Sequence, residues 1–155
     1  MVTPNVTEVS PQRLPTVIPD LSERRRIHVV GVGGPGMSAV AIALAGMGHD
    51  VSGSDIRERQ VLERLRAAGV RVHIGHDRRH VHDCDVVTAS TAIPVDLNEL
   101  DEARKRGISV TSRAGILAAI CARTGALAVA GTHGKTTTSS MLMLMLAAGD
   151  LRPGF

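Results

Sequence analysis

The chain has 155 residues, 43% hydrophobic and 21% charged, with a formal net charge of +3 at pH 7; these proportions suit a globular protein with its own core and exclude a collagen, a disordered tail and a disulfide scaffold. Its 16 Arg and 2 Lys are interspersed with 15 acids, and one Phe with no Tyr or Trp excludes folds that stack single-stranded bases on aromatic platforms, so no nucleic-acid partner is expected. The longest apolar runs, residues 114–122 and 141–148, fall short of the roughly 18 to 20 residues a bilayer span needs, so no membrane partner is expected either. Cys84 and Cys121 stand alone, without a C-x-x-C pair or a secretory signal, which points to a reduced, cytoplasmic setting.

Four of the seven prolines (Pro4, Pro11, Pro15 and Pro19) fall in the first twenty residues, and residues 1–22 read as a flexible leader without hydrophobic periodicity. Residues 27–32 then read as a strand running into a glycine-rich turn at 31–36, and residues 37–47 as an apolar helix. A second strand follows at 50–54, and a helix at 60–68 that Gly69 ends. Further strands are expected at 70–74, 85–89 and 108–110. Asp96 with Glu99 resembles a capping box opening a helix at 97–106, whose charged positions, Glu99 among them, read as a solvated face. A last strand at 126–130 leads through a second glycine loop into a helix at 136–148, where Met141, Met143 and Met145 alternate with leucines on a helix expected to be buried on most sides.

Strands alternating with helices predict an α/β fold, a Rossmann-like doubly wound parallel sheet in residues 23–123. Residues 124–155 read as the first strand, loop and helix of a P-loop ATPase domain. A single strand and helix form a stub, so the chain is expected to be a fragment cut soon after a second domain begins, with the stub locally disordered or self-associating.

The first loop places Gly31, Gly33 and Gly36 in a G-x-G-x-x-G array between a strand and a helix. Such glycines let a diphosphate approach the backbone, held by N–H groups at a helix N-terminus, and Pro35 suits the first helical turn. Asp55, nineteen residues past Gly36, stands where an acid would meet a ribose hydroxyl. The second loop, Gly131-Thr132-His133-Gly134-Lys135-Thr136-Thr137, is shaped to cradle phosphates: Lys135 reaches the phosphoryl oxygens and the Thr136 hydroxyl holds Mg²⁺. It is not a strict Walker A, because Val129 stands where that pattern needs Gly. His76, His80 and His82 share no helix or strand face, so no metal site is expected there.

The pairing of Gly31-Val-Gly33-Gly34-Pro35-Gly36-Met37-Ser38 with the His-containing loop at 131–138 resembles the Mur ligase family, with further matches at Ser54-Asp55, Gly75-His76, Ser90 to Ile93 and Ser112 to Ala114. The resemblance runs from about Arg26 to the C-terminus, and the histidine in the second loop favours the alanine-adding branch. It implies that Gly33, Gly34, Pro35, Gly36 and Met37 hold the diphosphate of UDP-N-acetylmuramate. Ser54 and Asp55 would lie at its nucleoside, and His76, Ser90, Ala92 and Arg113 would line the same cleft. It further implies that residues 131–137 bind ATP with Mg²⁺, and that Lys135 and Thr136 serve catalysis. The resemblance implies a reaction in which ATP would phosphorylate the lactyl carboxylate to an acyl phosphate, which the amine of L-alanine would attack to form the amide, releasing ADP and phosphate; the L-alanine site would lie outside this chain, which alone would bind but not catalyse. The chain departs from the family pattern at Gly115, where relatives commonly carry an acid. Three alternatives stay open: the ligase that recycles murein peptides, a nicotinamide dehydrogenase, for which G-x-G-x-x-G and Asp55 suffice but residues 131–136 have no use, and a non-catalytic nucleotide-sugar module.

Overall fold

The computed structural model describes residues 13–151. Five strands, β1 (Arg26–Val30), β2 (Asp50–Asp55), β3 (Arg71–Ile74), β4 (Val86–Ala89) and β5 (Ser109–Ser112), form one sheet in the order β3-β2-β1-β4-β5. All four pairings are parallel. The crossovers carry α1 (Pro35–Gly46), α2 (Gln60–Ala67), a short 3₁₀ turn at Arg78–Val81, and α3 (Asn98–Lys105); α4 (Arg113–Arg123) follows β5 directly. This is the doubly wound α/β sheet that the sequence predicts.

Alternation along the strands decides which residues each face buries. Ile27 and Val29 of β1 and Val51 of β2 pack with Met37, Val40 and Leu44 of α1, Leu62 and Leu65 of α2 and Ile116 and Ala119 of α4. Val30 faces the other way, joining Val87 and Ala89 of β4, Val110 of β5, and Leu100 and Ala103 of α3. On that second face the two central strands turn polar, because His28 lies in register with Ser52, and Val30 with Ser54, whose other neighbour is His73. His28, Ser52 and Ser54 are all buried.

Several expectations need correction. The leader is pinned in its described part: the Pro15 carbonyl accepts from Ser112 N–H at 2.9 Å, the Val17 carbonyl accepts from the Thr111 hydroxyl, and Leu21 is buried in the first core. Leucines at 14 and 21 supply apolar anchors that the surrounding prolines mask, since both pack on the cores; residues 1–12 lie outside the described residues. The apolar run at 114–122 lies within α4, with Ser112 Oγ accepting from Gly115 N–H at its start. Residues 126–130 form no strand, because the backbone of a strand requires a neighbouring strand and among the described residues it finds none. After that irregular segment α5 (Lys135–Ala148) forms with none of its residues buried, rather than on most sides. Nor is there a capping box at Asp96: Leu97 is the N-cap of α3 without a side-chain bond, and Glu99 turns inward.

Candidate nucleotide-sugar site

The strand order reverses between β1 and β4, so the loops that leave their C-terminal ends diverge and open a crevice, the position where ligands bind in open parallel sheets. The loop after β1 is built by backbone bonds. Gly31 and Val32 N–H groups both donate to the Ser54 carbonyl, at 2.8 and 3.0 Å, and Gly34 N–H donates to Gly31 C=O at 3.0 Å. Gly31 sits at φ +73°, a conformation side chains rarely adopt, and a Cβ there would stand 3.0 Å from Ile93 Cδ1 of the loop after β4. The loop then enters α1 through Gly34 as N-cap and Pro35 in the first turn, without a side-chain cap, which leaves the helix N-terminus open to an anion.

Three side chains reach this loop or its rim. Asp55 Oδ2, at the end of β2, accepts from Gly33 N–H at 2.9 Å, while Oδ1 accepts from Arg57 N–H at 3.3 Å. The buried Asp55 thus fastens the loop itself, which differs from an acid facing a ribose. From the start of α4, Arg113 places Nη1 2.8 Å from where a Cβ on Gly36 would stand, setting an exposed cation beside the α1 N-terminus. Beyond β4, Ser90 Oγ accepts from Ala92 N–H at 3.1 Å and shapes that loop. Of the expected contacts, Gly34, Pro35, Gly36, Ser90, Ala92, His76 and Arg113 retain exposure, while the side chains of Met37, Ser54 and Asp55 are buried. Met37 belongs to the hydrophobic core, so its backbone alone can face a ligand.

Beneath the rim lies a polar cluster that the sequence does not announce. Glu99, fully buried on α3, accepts from Ser54 Oγ at 2.8 Å and lies 2.7 Å from Nδ1 of His76, 2.7 Å from Nδ1 of His80 and 3.3 Å from Nε2 of His28. Burial pushes its carboxyl up, but the bond and positive charge of His28 with the bonds of Ser54 and His80 outweigh that and hold it at about 2. His73 stacks on His80 with ring centroids 4.2 Å apart, and burial, with the neighbouring His80 and His28, holds its imidazole below the ordinary value. Among the described residues, His28, His80 and Glu99 are the one set close enough to hold a metal ion. The spacing of 2.7 Å between Glu99 and His80 is nonetheless that of a hydrogen bond, shorter than the roughly 3.3 Å between two ligand atoms on a tetrahedral ion with bonds of about 2.0 Å.

The second loop is separate and exposed throughout residues 131–137. Gly134 at φ +78° is the N-cap of α5, again without a side-chain bond. The Lys135 ammonium folds back over the loop, donating to the carbonyls of Gly131 at 2.6 Å and Thr132 at 3.4 Å.

Comparison with known proteins agrees with this geometry. Residues 26–124 match the Mur ligase family, catalytic domain. The chain is 54% identical over 123 residues to the UDP-N-acetylmuramate–L-alanine ligase of Rubrobacter xylanophilus and 51% identical over 130 residues to that of Acidothermus cellulolyticus. These alignments cover 79% and 84% of this chain but 28% and 27% of those proteins, so the chain spans little more than a quarter of their length. Among solved structures it resembles the murein peptide ligase of Psychrobacter arcticus (TM-score 0.73, 32% identity, 81% of this chain and 27% of that one). It likewise resembles the UDP-N-acetylmuramate-alanine ligase of Thermotoga maritima (TM-score 0.72, 35% identity, 80% and 29%). With both the matched segment and the crevice at the strand ends in place, the chain belongs to the Mur ligase family.

Proposed function

We propose that this chain is the nucleotide-sugar-binding part of an ATP-dependent ligase that joins L-alanine to UDP-N-acetylmuramate in peptidoglycan synthesis in the cytoplasm. The observation that carries this reading is the approach of Arg113 to Gly36 at the uncapped N-terminus of α1. A guanidinium and a helix N-terminus together form a site for a diphosphate, with fork geometry matched to its oxygens. Identities of 54% and 51% to the alanine-adding enzymes favour that substrate over a murein peptide. In this reading residues 23–123 bind UDP-N-acetylmuramate and residues 124–155 open the ATP-binding domain, with L-alanine bound outside the chain.

The residues of the second loop fit ATP with Mg²⁺. Lys135 offers an exposed ammonium over a glycine turn, and Thr136 supplies the hard hydroxyl oxygen that magnesium takes. Mg²⁺ neutralises charge on the phosphoryl group when bound. Lys135 adds a second positive charge, and Gly131 and Gly134 keep the backbone close enough for its N–H groups to reach phosphate oxygens.

Calorimetric titration with UDP-N-acetylmuramate, UDP and NAD tests the reading. Binding of both uridine ligands, weakened in Arg113→Ala, supports it; binding of NAD without either uridine ligand overturns it in favour of a dehydrogenase domain.

A further inference from the structure

The second face of the sheet is apolar where α3 covers β4 and β5, and polar over β1, β2 and β3, where His28, Ser52, Ser54 and His73 stand under the 3₁₀ turn. A carboxylate with no exposed surface is tolerated only when it is paired and hydrogen-bonded. Glu99 meets that condition with one hydroxyl and three imidazoles drawn from four segments of the chain. Two of these partners, Ser54 and His76, are residues of the proposed nucleotide-sugar site. Both engage the same oxygen, Oε2, at 2.8 and 2.7 Å.

The chemistry of the His76 ring follows. With Nδ1 turned to a carboxylate, its proton is held on that nitrogen, and Nε2 is the nitrogen left to act elsewhere. A neutral ring would offer Nε2 as an acceptor, which an anionic ligand repels. A ring charged against Glu99 offers Nε2–H as a donor, which a diphosphate or carboxylate accepts. The His76 side chain keeps 14% of its surface, so the site is roofed without being sealed.

We infer that Glu99 is a positioning residue for the nucleotide-sugar site, holding His76 by its Nδ1–H in the imidazolium form so that Nε2–H donates to the anionic ligand and binding becomes proton-linked. The inference rests on the proposed function. The titratable groups facing Glu99 are His28 from β1, His73 from β3, His76 after it and His80 from the 3₁₀ turn. Arg71 acts on His73, and Glu102 on the same helix is engaged instead by Arg106 and His82. Burial, with the neighbouring His80 and His28, holds His73 towards its neutral form, and it makes no hydrogen bond to Glu99 among the contacts that surround that carboxylate.

The test titrates the 155-residue chain with UDP-N-acetylmuramate from about pH 6 to about pH 8, spanning ordinary imidazole titration. Wild type, Glu99→Gln, His76→Asn and the double variant are compared, alongside ring-nitrogen NMR of the free protein. Wild-type affinity is expected to fall as pH rises. Each single variant weakens binding about tenfold or more at the acid end, as loss of a charged hydrogen bond does, and flattens the profile. The double variant is expected to bind no worse than either single one, since both remove one unit. The ring spectrum is expected to show His76 protonated at Nδ1, and to lose that signature in Glu99→Gln. Equal affinity and pH profile in wild type and Glu99→Gln overturn the inference alone. Additive losses in the double variant, or a His76 ring unprotonated at Nδ1, also do so. Stoichiometric Zn²⁺ uptake by the His28 and His80 rings makes Glu99 a metal ligand and overturns it too. Failure of the wild-type chain to bind UDP-N-acetylmuramate overturns the proposed function and this inference with it. Should Glu99→Gln not fold, the partly exposed His76→Asn and the wild-type profile and spectrum decide.

Discussion

Gly33 and Asp55, on different strand-loop junctions, are matched halves of one contact: the glycine amide donates to Asp55 Oδ2 at 2.9 Å, and a Cβ on residue 33 would stand 2.7 Å from that same oxygen. Gly33→Ala is therefore expected to drive Oδ2 off the amide, leaving the residue 33 N–H buried without a partner and Asp55 with only the longer bond from Arg57 N–H. The cost is about 1–3 kcal/mol, read as a lower urea midpoint, with at least a tenfold loss of UDP-N-acetylmuramate affinity as the loop shifts. Asp55→Ala removes the acceptor without the clash and should lose stability in the same range. Unchanged stability in both variants would show that the contact does not hold the loop.

At Gly36 the neighbour is the far end of a flexible, exposed arginine rather than backbone. Gly36→Ala should leave stability within about 0.5 kcal/mol, because Arg113 can swing away. Swinging away removes the cation from the α1 N-terminus. Calorimetry should then show weaker binding of UDP with little change for uridine, which lacks the diphosphate, and Arg113→Ala should reduce the salt dependence of UDP binding. Equal losses for UDP and uridine would assign Arg113 to another part of the ligand.

Acid stability should report on Glu99. Its carboxyl is lowered from 4.5 to about 2, so between these values the unfolded chain binds the proton and the folded one does not. Stability is full above the unfolded value and falls as pH drops through the folded one, by about 3 kcal/mol in all. The lowered His73 acts in the same sense, from its unfolded value of 6.5 downward. Urea midpoints measured against pH should decline steeply through this acid window in wild type and less so in Glu99→Gln. The exposed pair of Asp77 and Arg79, common to both, adds little because solvent screens it.

Helix α5 should behave differently from the sheet. Met141, Leu144 and Met145 are 59%, 65% and 71% exposed, and a helix with no buried face depends on its own propensity. Amide exchange in residues 135–148 is expected to be much faster than in β1 at low protein concentration, and to slow as concentration rises and copies associate through this face. Leu144→Glu should abolish that concentration dependence. Strong protection in a dilute monomer would contradict the expectation.

Where hydrophobic period and turn chemistry agree, the fold can be read from the residues. The runs around β1, β2 and β4 are strands, Gly69 stops the helix before β3, and the first glycine array sits between strand and helix. The misreadings share one physical origin. Residues 126–130 have strand composition, but pairing is a property of two segments and a lone one cannot show it. Glu99 lies in a helix rich in charge, and nothing within a helical turn signals that His28, Ser54, His76 and His80, as far as 71 positions away, will surround it. The Gly31 to Gly36 turn was legible as a loop, while the grip of Asp55 on Gly33 was visible only as an acid at a suggestive distance.

The strap at residues 15–17 meets its receptor at Gly115, where a Cβ would collide with the Val17 carbonyl and the Thr111 hydroxyl. A homologue with an acidic side chain at this place cannot route its N-terminal segment along the same track. The two features should therefore be inherited as a pair: chains with glycine here are expected to wear the strap and chains with an acid to run their first residues elsewhere, so that a swap of residue 115 alone transplants a misfit unless the segment before Leu21 moves with it.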